Sequence, residues 1–451
     1  MRRLVFFTIW CFAACSPEAE RPRSSNLTLF EGARLIAGDG RVPIEESAFL
    51  VENDQISRIG ARGEIPIQEG AARVDLTGKT VMPLLVAIHA HLGYDREATF
   101  SAENYTRETI ADQLDRLLYY GVGTVLSLGL DTGELAFQVQ EAQRSGGMGG
   151  AELRTAGRGF VAVNGGPTLT FEGKQPLRHV PYEVDSADEA RKLVQDLAAK
   201  KVDMIKIWVD DRLGTVPKLR PEVYRAIIEE AHQRGIRVMA HVYYLNDAKD
   251  LVRSGVDGFA HLVRDREIDD ELVALMKEHD VFTVTAFFQS PPGAALPSED
   301  PTLLETVPPR LLPKAAPPAG EAASRRSGME RISAHNLAKL KAAGIRIGLG
   351  ADSGLPSRWL GYTDNHQLEL MVRAGMTPAE AIVAATRTSA EILGLNDRGT
   401  LASGKRADFI VLDANPLEDV ASTRRIAGVY QKGRRLDRAS LRKRWTGGGT
   451  S

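Results

Sequence analysis

Residues 81–91 read Val81-Met82-Pro83-Leu84-Leu85-Val86-Ala87-Ile88-His89-Ala90-His91, with a glycine loop following at Gly93. An unbroken apolar run of this length, closed by polar residues, predicts a strand over 81–88 that is buried on both faces, as in a parallel sheet covered by helices. Side chains alternate faces along a strand, so His89 and His91 point the same way, and two imidazoles on one face can share one metal ion. A His-x-His pair also arises by chance, and either ring could simply cap a core. The pair gains meaning from its place at a strand end.

Downstream, short apolar strands alternate with helical patterns. Strands are expected at 81–88, 123–128, 153–159, 203–209, 236–241, 258–261, 281–285 and 345–351, with helices such as 222–233 and 248–254 between them, each followed by glycine. Eight parallel strands with crossover helices predict an α/β fold, a closed (β/α)8 TIM barrel whose chemistry sits at the carboxyl ends of the strands. Residues 289–318 break the repeat: they are proline-rich, lack a period and follow the seventh strand, so they read either as a lid over the active face or as a disordered insertion.

Both ends of the chain have another character. Residues 27–36, 47–59 and 72–76 alternate apolar and polar residues around turns such as Gly38-Asp39-Gly40, and the pattern returns at 407–413 and 428–434. A small β-sandwich assembled from both termini is therefore expected, its first part at 27–80 and its second at 399–437, flanking a barrel at 81–398 and followed by a flexible tail at 438–451. Arg2 and Arg3 precede an apolar run too short to span a bilayer, and Phe12-Ala13-Ala14-Cys15 has the order of a bacterial lipobox. Residues 1–15 read as an export signal with Cys15 as lipid attachment site, and 16–26 as a tether. The expected location is the bacterial cell envelope, either free in the periplasm or as an outer-membrane lipoprotein, with membrane contact only through that anchor.

Charge excludes some functions. Lys and Arg number 57 against 59 Asp and Glu, a net charge of -2, so no excess attracts nucleic acid, and a small molecule or short peptide is the expected substrate. Cys11 and Cys15, the two cysteines, fall in the export segment, which leaves His, carboxylate or modified Lys to hold any metal.

Ionisable residues recur at the strand ends: His89 and His91, Lys206 in Met204-Ile205-Lys206-Ile207-Trp208, His241, His261, and Asp352 after Gly348-Leu349-Gly350-Ala351. Lys206, flanked by apolar residues, is costly to bury as a cation and is pushed towards the neutral amine. Such an amine can take up carbon dioxide to become an anionic carbamate. The alternative is an ammonium that reaches solvent or pairs with Asp210 or Asp211. His232, His279 and His335 lie in helical patterns and His179 in a loop, where surface or packing roles suffice, and His366 reads as structural or supporting.

Together His89, His91, Lys206, His241, His261 and Asp352 resemble the metal-site pattern of the amidohydrolase superfamily, in its imidazolonepropionase-like and Xaa-Pro dipeptidase branch. The resemblance extends to Val81-Met82-Pro83, to the stretch Ala374-Gly375-Met376-Thr377-Pro378-Ala379-Glu380-Ala381, and to Gly399-Thr400-Leu401 followed by Gly404-Lys405-Arg406-Ala407-Asp408-Phe409-Ile410. It implies two divalent ions, zinc by default, with His89, His91 and Asp352 on one, His241 and His261 on the other, and Lys206 as N6-carboxylysine bridging both. By the same resemblance a hydroxide between the ions attacks an amide carbonyl, and Asp352 is the catalytic residue that carries its proton to the leaving amine. The chain departs from the family text at Leu84 and Ala87, where a glycine and an aspartate are usual. It departs again at Asn164-Gly165-Gly166-Pro167, where many peptidase relatives carry a histidine. Asn164, Tyr243, Tyr244, Arg264 and Arg358 are candidates to hold the carbonyl or a substrate carboxylate. The expected reaction is hydrolysis of a dipeptide, an N-acyl amino acid or a related small amide. Its rivals are hydrolysis of a cyclic amide, a lactone or an amide-linked xenobiotic, and a non-catalytic envelope binding protein on the same fold. A homo-oligomer is expected.

Overall fold

A computed structural model describes residues 27–66, 70–97, 99–167, 174–287, 299–312 and 321–447. The export segment and tether lie outside these residues, as does most of 289–318.

The quoted run divides at Leu84. Thr80–Pro83 pairs antiparallel with Phe409–Leu412, Pro83 opposite Phe409 and Val81 opposite Val411, and so belongs to a sheet made by the two ends of the chain. The first barrel strand is Leu85–Ala90. At the switch Leu84 N–H donates to Asp408 O and Leu85 N–H donates to Gly121 O, one bond to each sheet. The expected single strand over 81–88 is thus two strands in two sheets.

The terminal sheet also contains Leu27–Leu35, Ile44–Glu52, Gln55–Ala61, Ala72–Asp75, Ile426–Gln431 and Arg434–Arg435. The strands of Phe49 and Phe409 stand three places apart in sheet order, about 14 Å in a flat sheet, yet their rings lie 5.1 Å apart, edge to face. The sheet therefore curls over a core that includes Phe30, Phe49, Phe409 and Tyr430. It is one continuous hydrogen-bonded sheet.

The barrel follows with Val122–Ser127, Glu152–Thr155, Ile205–Val209, Val238–Val242, Gly258–Phe259, Phe282–Val284 and Ile347–Gly348, parallel wherever they pair as neighbours. Ile88 N–H donates to Leu349 O and Asp203 N–H to Thr155 O, which join the first strand to the last and the third to the fourth. The third strand ends at Thr155, short of the expected 159. A separate strand, Phe160–Ala162, pairs with Tyr182–Val184 and touches the fourth strand at Ile207.

Inside the barrel Val86 and Ile88 pack with Met204, Met239 and Phe282. Continued alternation would send His89 to the other face, the side of Leu85 and Ala87. Between Ala87 and Ala90, however, the first strand spends one residue more than its partner, which moves only from Val125 to Ser127. This bulge turns His89 inward.

Residues 438–451, expected as a flexible tail, contain the helix Arg438–Thr446. Trp445 is buried against Tyr119, and its indole N–H donates to Asp112 Oδ1 at 2.6 Å.

Candidate metal centre and substrate cavity

The strand ends bring the six sequence-predicted ligands together, all buried. The rings of His89 and His261 are 4.8 Å apart, those of His241 and His261 4.4 Å, and those of His89 and His91 5.3 Å. Ligand atoms of His89, His261 and Asp352 lie within 4.8 Å of one another. Asp352 follows the eighth strand with φ +52, a strained left-handed conformation for a side-chain-bearing residue. Its N–H donates to His89 O at 3.0 Å. Two residues on, Gly354 has φ +87, and a Cβ there would stand 1.8 Å from His91 O, so only glycine fits this closure.

The hydrogen bonds fix which ring nitrogens are free. His89 Nδ1 lies 2.9 Å from Ala260 O, and a carbonyl only accepts, so Nδ1 carries the proton. Burial holds His89 well below the usual imidazole range, so its Nε2 is a lone pair. That lone pair faces Asp352 Oδ1 at 3.4 Å. Two acceptors facing each other repel unless a cation lies with them. On the neighbouring strand end His241 Nε2 donates to Asp210 Oδ2 at 2.9 Å, which leaves its Nδ1 as the lone pair, and burial pushes His241 down to about 3. His261 is held well below its usual range, also by burial.

Lys206 is fully buried, and its Nζ makes no hydrogen bond among the described residues. It pairs with neither Asp210 nor Asp211: the first serves His241, and the second accepts from Tyr244 OH and lies near Lys218. Burial pushes the Lys206 amine down to about 7, with Asp352 opposing and Arg264 assisting. Burial also works against the Asp352 carboxylate, but Arg358, with Nη1 2.6 Å from Oδ2, and the imidazoles of His89 and His91 hold it well below the usual range. Lone pairs converging on a carboxylate, beside a buried amine with no hydrogen-bond partner, fit divalent cations and a carbamate.

The four histidines and Asp352 line a cavity of about 780 Å³, with Lys206 buried behind its wall. A model of the amidohydrolase family matches residues 80–436. The chain belongs to the amidohydrolase family. It is 25% identical over 435 residues to an ochratoxinase of Aspergillus niger, an alignment covering 88% of this chain and 83% of that one. It is 27% identical over 418 residues to an imidazolonepropionase of Deinococcus radiodurans, covering 87% and 92%. The crystal structure of a Xaa-Pro dipeptidase with methionine bound in its active site superposes with a TM-score of 0.68 at 23% identity, covering 91% of this chain and 99% of that one. The branch is the one the motifs resemble, and the protein is a hydrolase of carbon–nitrogen bonds.

The residues expected to hold substrate in this amidohydrolase divide. Tyr243, Arg264 and Arg358 line the cavity. Arg264 is buried, donates to Val242 O, lies over the Tyr243 ring and is pushed down by burial to about 10. Arg358 is engaged by Asp352. Tyr244 turns away to Asp211. Asn164 does not line the cavity: it sits exposed at φ +61 with its side-chain oxygen accepting from Arg178, because the left-handed turn before Gly165 directs it outward, and only Pro167 of that motif reaches the wall. His366 faces Glu369 and Tyr362. Sequence reading missed Asp210 as the partner of His241, and Arg212, Arg325 and Met329 as cavity residues. The recurrence of a carboxylate four residues after Lys206 was the one available signal. Arg212 lies in a loop, and Arg325 and Met329 lie in a helix whose sequence carries no apolar stripe, so pattern offered no signal for them.

Proposed function

We propose that this amidohydrolase cleaves the amide bond of a dipeptide, an N-acyl amino acid or a related small amide at a two-ion centre. One ion would be held by His89, His91 and Asp352, the other by His241 and His261, with carbamylated Lys206 bridging them. Zinc suits imidazole and oxygen ligands of this kind. When bound, such ions lower the pKa of a water and polarise a carbonyl oxygen. The observation that carries the reading is the pair formed by His89 Nε2 and Asp352 Oδ1 at 3.4 Å, two acceptors in contact near a buried Lys206 amine that has no hydrogen-bond partner among the described residues.

The chain's own residues do the rest. Asp352, kept ionised by Arg358, can take a proton from the attacking water and deliver it to the leaving nitrogen, which an amide requires because an unprotonated amide nitrogen departs poorly. Ala260 O and Asp210 lock the tautomers of His89 and His241. Trp208, Leu130 and Leu177 wall the cavity and limit water near the scissile bond.

We also read the curled terminal sheet as the small sandwich, and residues 1–15 as an export signal with a lipid at Cys15. Elemental analysis of the purified protein should return two equivalents of divalent metal, and a screen of N-acyl amino acids, dipeptides and cyclic amides should find turnover in the first two groups. Protein that folds without metal and cleaves none of them would leave a binding protein on the same fold.

A further inference from the structure

Beyond the ligands, the outer cavity is built from two pairs of similar chemistry. Arg212 and Leu213 come from the turn after the fourth barrel strand, and Arg325 and Met329 from the helix Glu321–Ala342, where a spacing of four sets them on one face. Each pair couples a guanidinium to an apolar side chain, and all four residues line the cavity.

The turn is held in a costly shape. Arg212, Leu213 and Gly214 have φ +52, +60 and +79, three successive left-handed residues of which two carry side chains. Asp210 Oδ1 accepts the Arg212 N–H at 2.9 Å and Asp211 Oδ1 accepts the Gly214 N–H at 3.1 Å, which fixes the shape. The result leaves Leu213 53% exposed at a cavity wall. Strain maintained to present an apolar side chain beside a cation makes sense where something binds to both.

Neither guanidinium is saturated. Arg325 is exposed and makes no hydrogen bond or ion pair among the described residues. Arg212 Nε is 4.0 Å from Asp210 Oδ2, an oxygen that already accepts from His241. Among the described lining residues four arginines stand against two carboxylates, Asp210 and Asp352, and both carboxylates are committed to the histidines. Arg264 and Arg358, the arginines expected to meet a substrate carboxylate, lie deeper, on Val242 O and Asp352.

We propose that Arg212 and Arg325, backed by Leu213 and Met329, form a two-sided clamp that selects amides bearing a free carboxylate beside an apolar side chain, as in an N-acyl derivative of an apolar amino acid. The planar fork of a guanidinium matches a carboxylate. The apolar pair gains by being covered when the ligand's own side chain docks. The clamp deepens the amide-hydrolase reading and rests on it for the bond that is cut.

The test uses the full-length, metal-loaded protein and two probes that differ only in charge, N-acetyl-leucine and N-acetyl-leucinamide, with binding measured by calorimetry and turnover followed separately. The acid should bind at least about tenfold tighter than the amide, the size expected of a charge-assisted hydrogen bond. In Arg325→Gln and in Arg212→Gln the ratio of the two affinities should fall towards one, and Arg325→Lys should recover part of it. Arg325 is itself exposed on its helix, so its variants report even if the strained turn does not tolerate change at Arg212. Equal affinity for the two probes in the unmodified protein, or a ratio unchanged in the Arg325 and Arg212 variants, overturns the clamp. Selective binding of the acid that is lost in the variants, without cleavage of either probe, upholds the clamp and removes the amide-hydrolase reading for this substrate class.

Discussion

At the scale of the residue, Asp352 has both oxygens in use. Oδ2 meets Arg358 at 2.6 Å, and Oδ1 meets His91 Nε2 at 2.9 Å. Replacing it by Asn keeps the shape and one oxygen but removes the base. Asp352→Asn should retain metal by elemental analysis while amide hydrolysis falls about 10² to 10⁴-fold, with substrates that have good leaving groups affected less. Near-normal amide hydrolysis with metal in place would reduce Asp352 to a ligand. Lys206→Ala should lose both metal and activity, and short carboxylic acids should restore part of each by standing where the carbamate stood. The sign of the pH effect follows from the amine. Burial lowers Lys206 to about 7, so the neutral form that takes up carbon dioxide is present above that pH and is lost as pH falls through it. Metal-free protein given zinc and bicarbonate should therefore reload at pH 8 and fail to reload about two units lower, as read by bound metal. The six candidate ligands were legible in the sequence because each is an ionisable residue inside or at the end of an apolar run, where neighbours of opposite character mark it out. Asn164 was misplaced and Arg325 unseen for the opposite reason: both lie where no period constrains the side chain, and only the turn or helix geometry decides what it faces.

At the scale of the element, the bulge between Ala87 and Ala90 matters more than strict alternation, since it alone brings His89 inward beside His91. Alternation correctly put the two histidines on one side, but an apolar run reads the same through a bulge or a change of sheet, so neither the bulge nor the switch at Leu84 was visible. The helices at 222–233 and 248–254 were close, appearing as Pro221–Gln233 and Leu245–Arg253, because glycine past the end punctuates both and proline opens the first. The helix Arg438–Thr446 was missed because four of its nine residues are cationic and it lacks an apolar stripe. It docks through one large side chain and through ion pairs to Asp112, Asp115 and Glu305. Trp445→Ala removes a buried indole and strands the Asp112 hydrogen bond, so the protein should lose about 3 kcal/mol. A thermal melt should show a lower midpoint with metal content unchanged; an unaltered midpoint would mean that the helix is merely laid on the surface.

At the scale of the whole molecule, the α/β barrel and the meeting of the two ends were readable from the change of pattern along the chain, because period and turn residues report which layer a segment joins. The curl of the terminal sheet was not, since ring-to-ring contacts such as Phe49 on Phe409 depend on partners far apart in sequence. Among the described residues no helix is long and apolar enough to cross a membrane, and membrane attachment is expected through Cys15 alone. Cys15→Ser should move the protein from the membrane fraction to the soluble one; unchanged sedimentation with membranes would end the anchor hypothesis. The junction of Thr80–Pro83 with Phe409–Leu412 bears on how the chain comes into being. The strand is made early and its partner almost last, so during synthesis the faces of Phe30, Phe49 and Val81 wait uncovered while the entire barrel is produced. Closure over so long an interval is slow and leaves apolar edges open to misassociation. In a nascent chain of this kind those faces stay open until the final strands emerge, and one cut short before Phe409 lacks both the strand that pairs with Thr80–Pro83 and the ring that packs on Phe30 and Phe49.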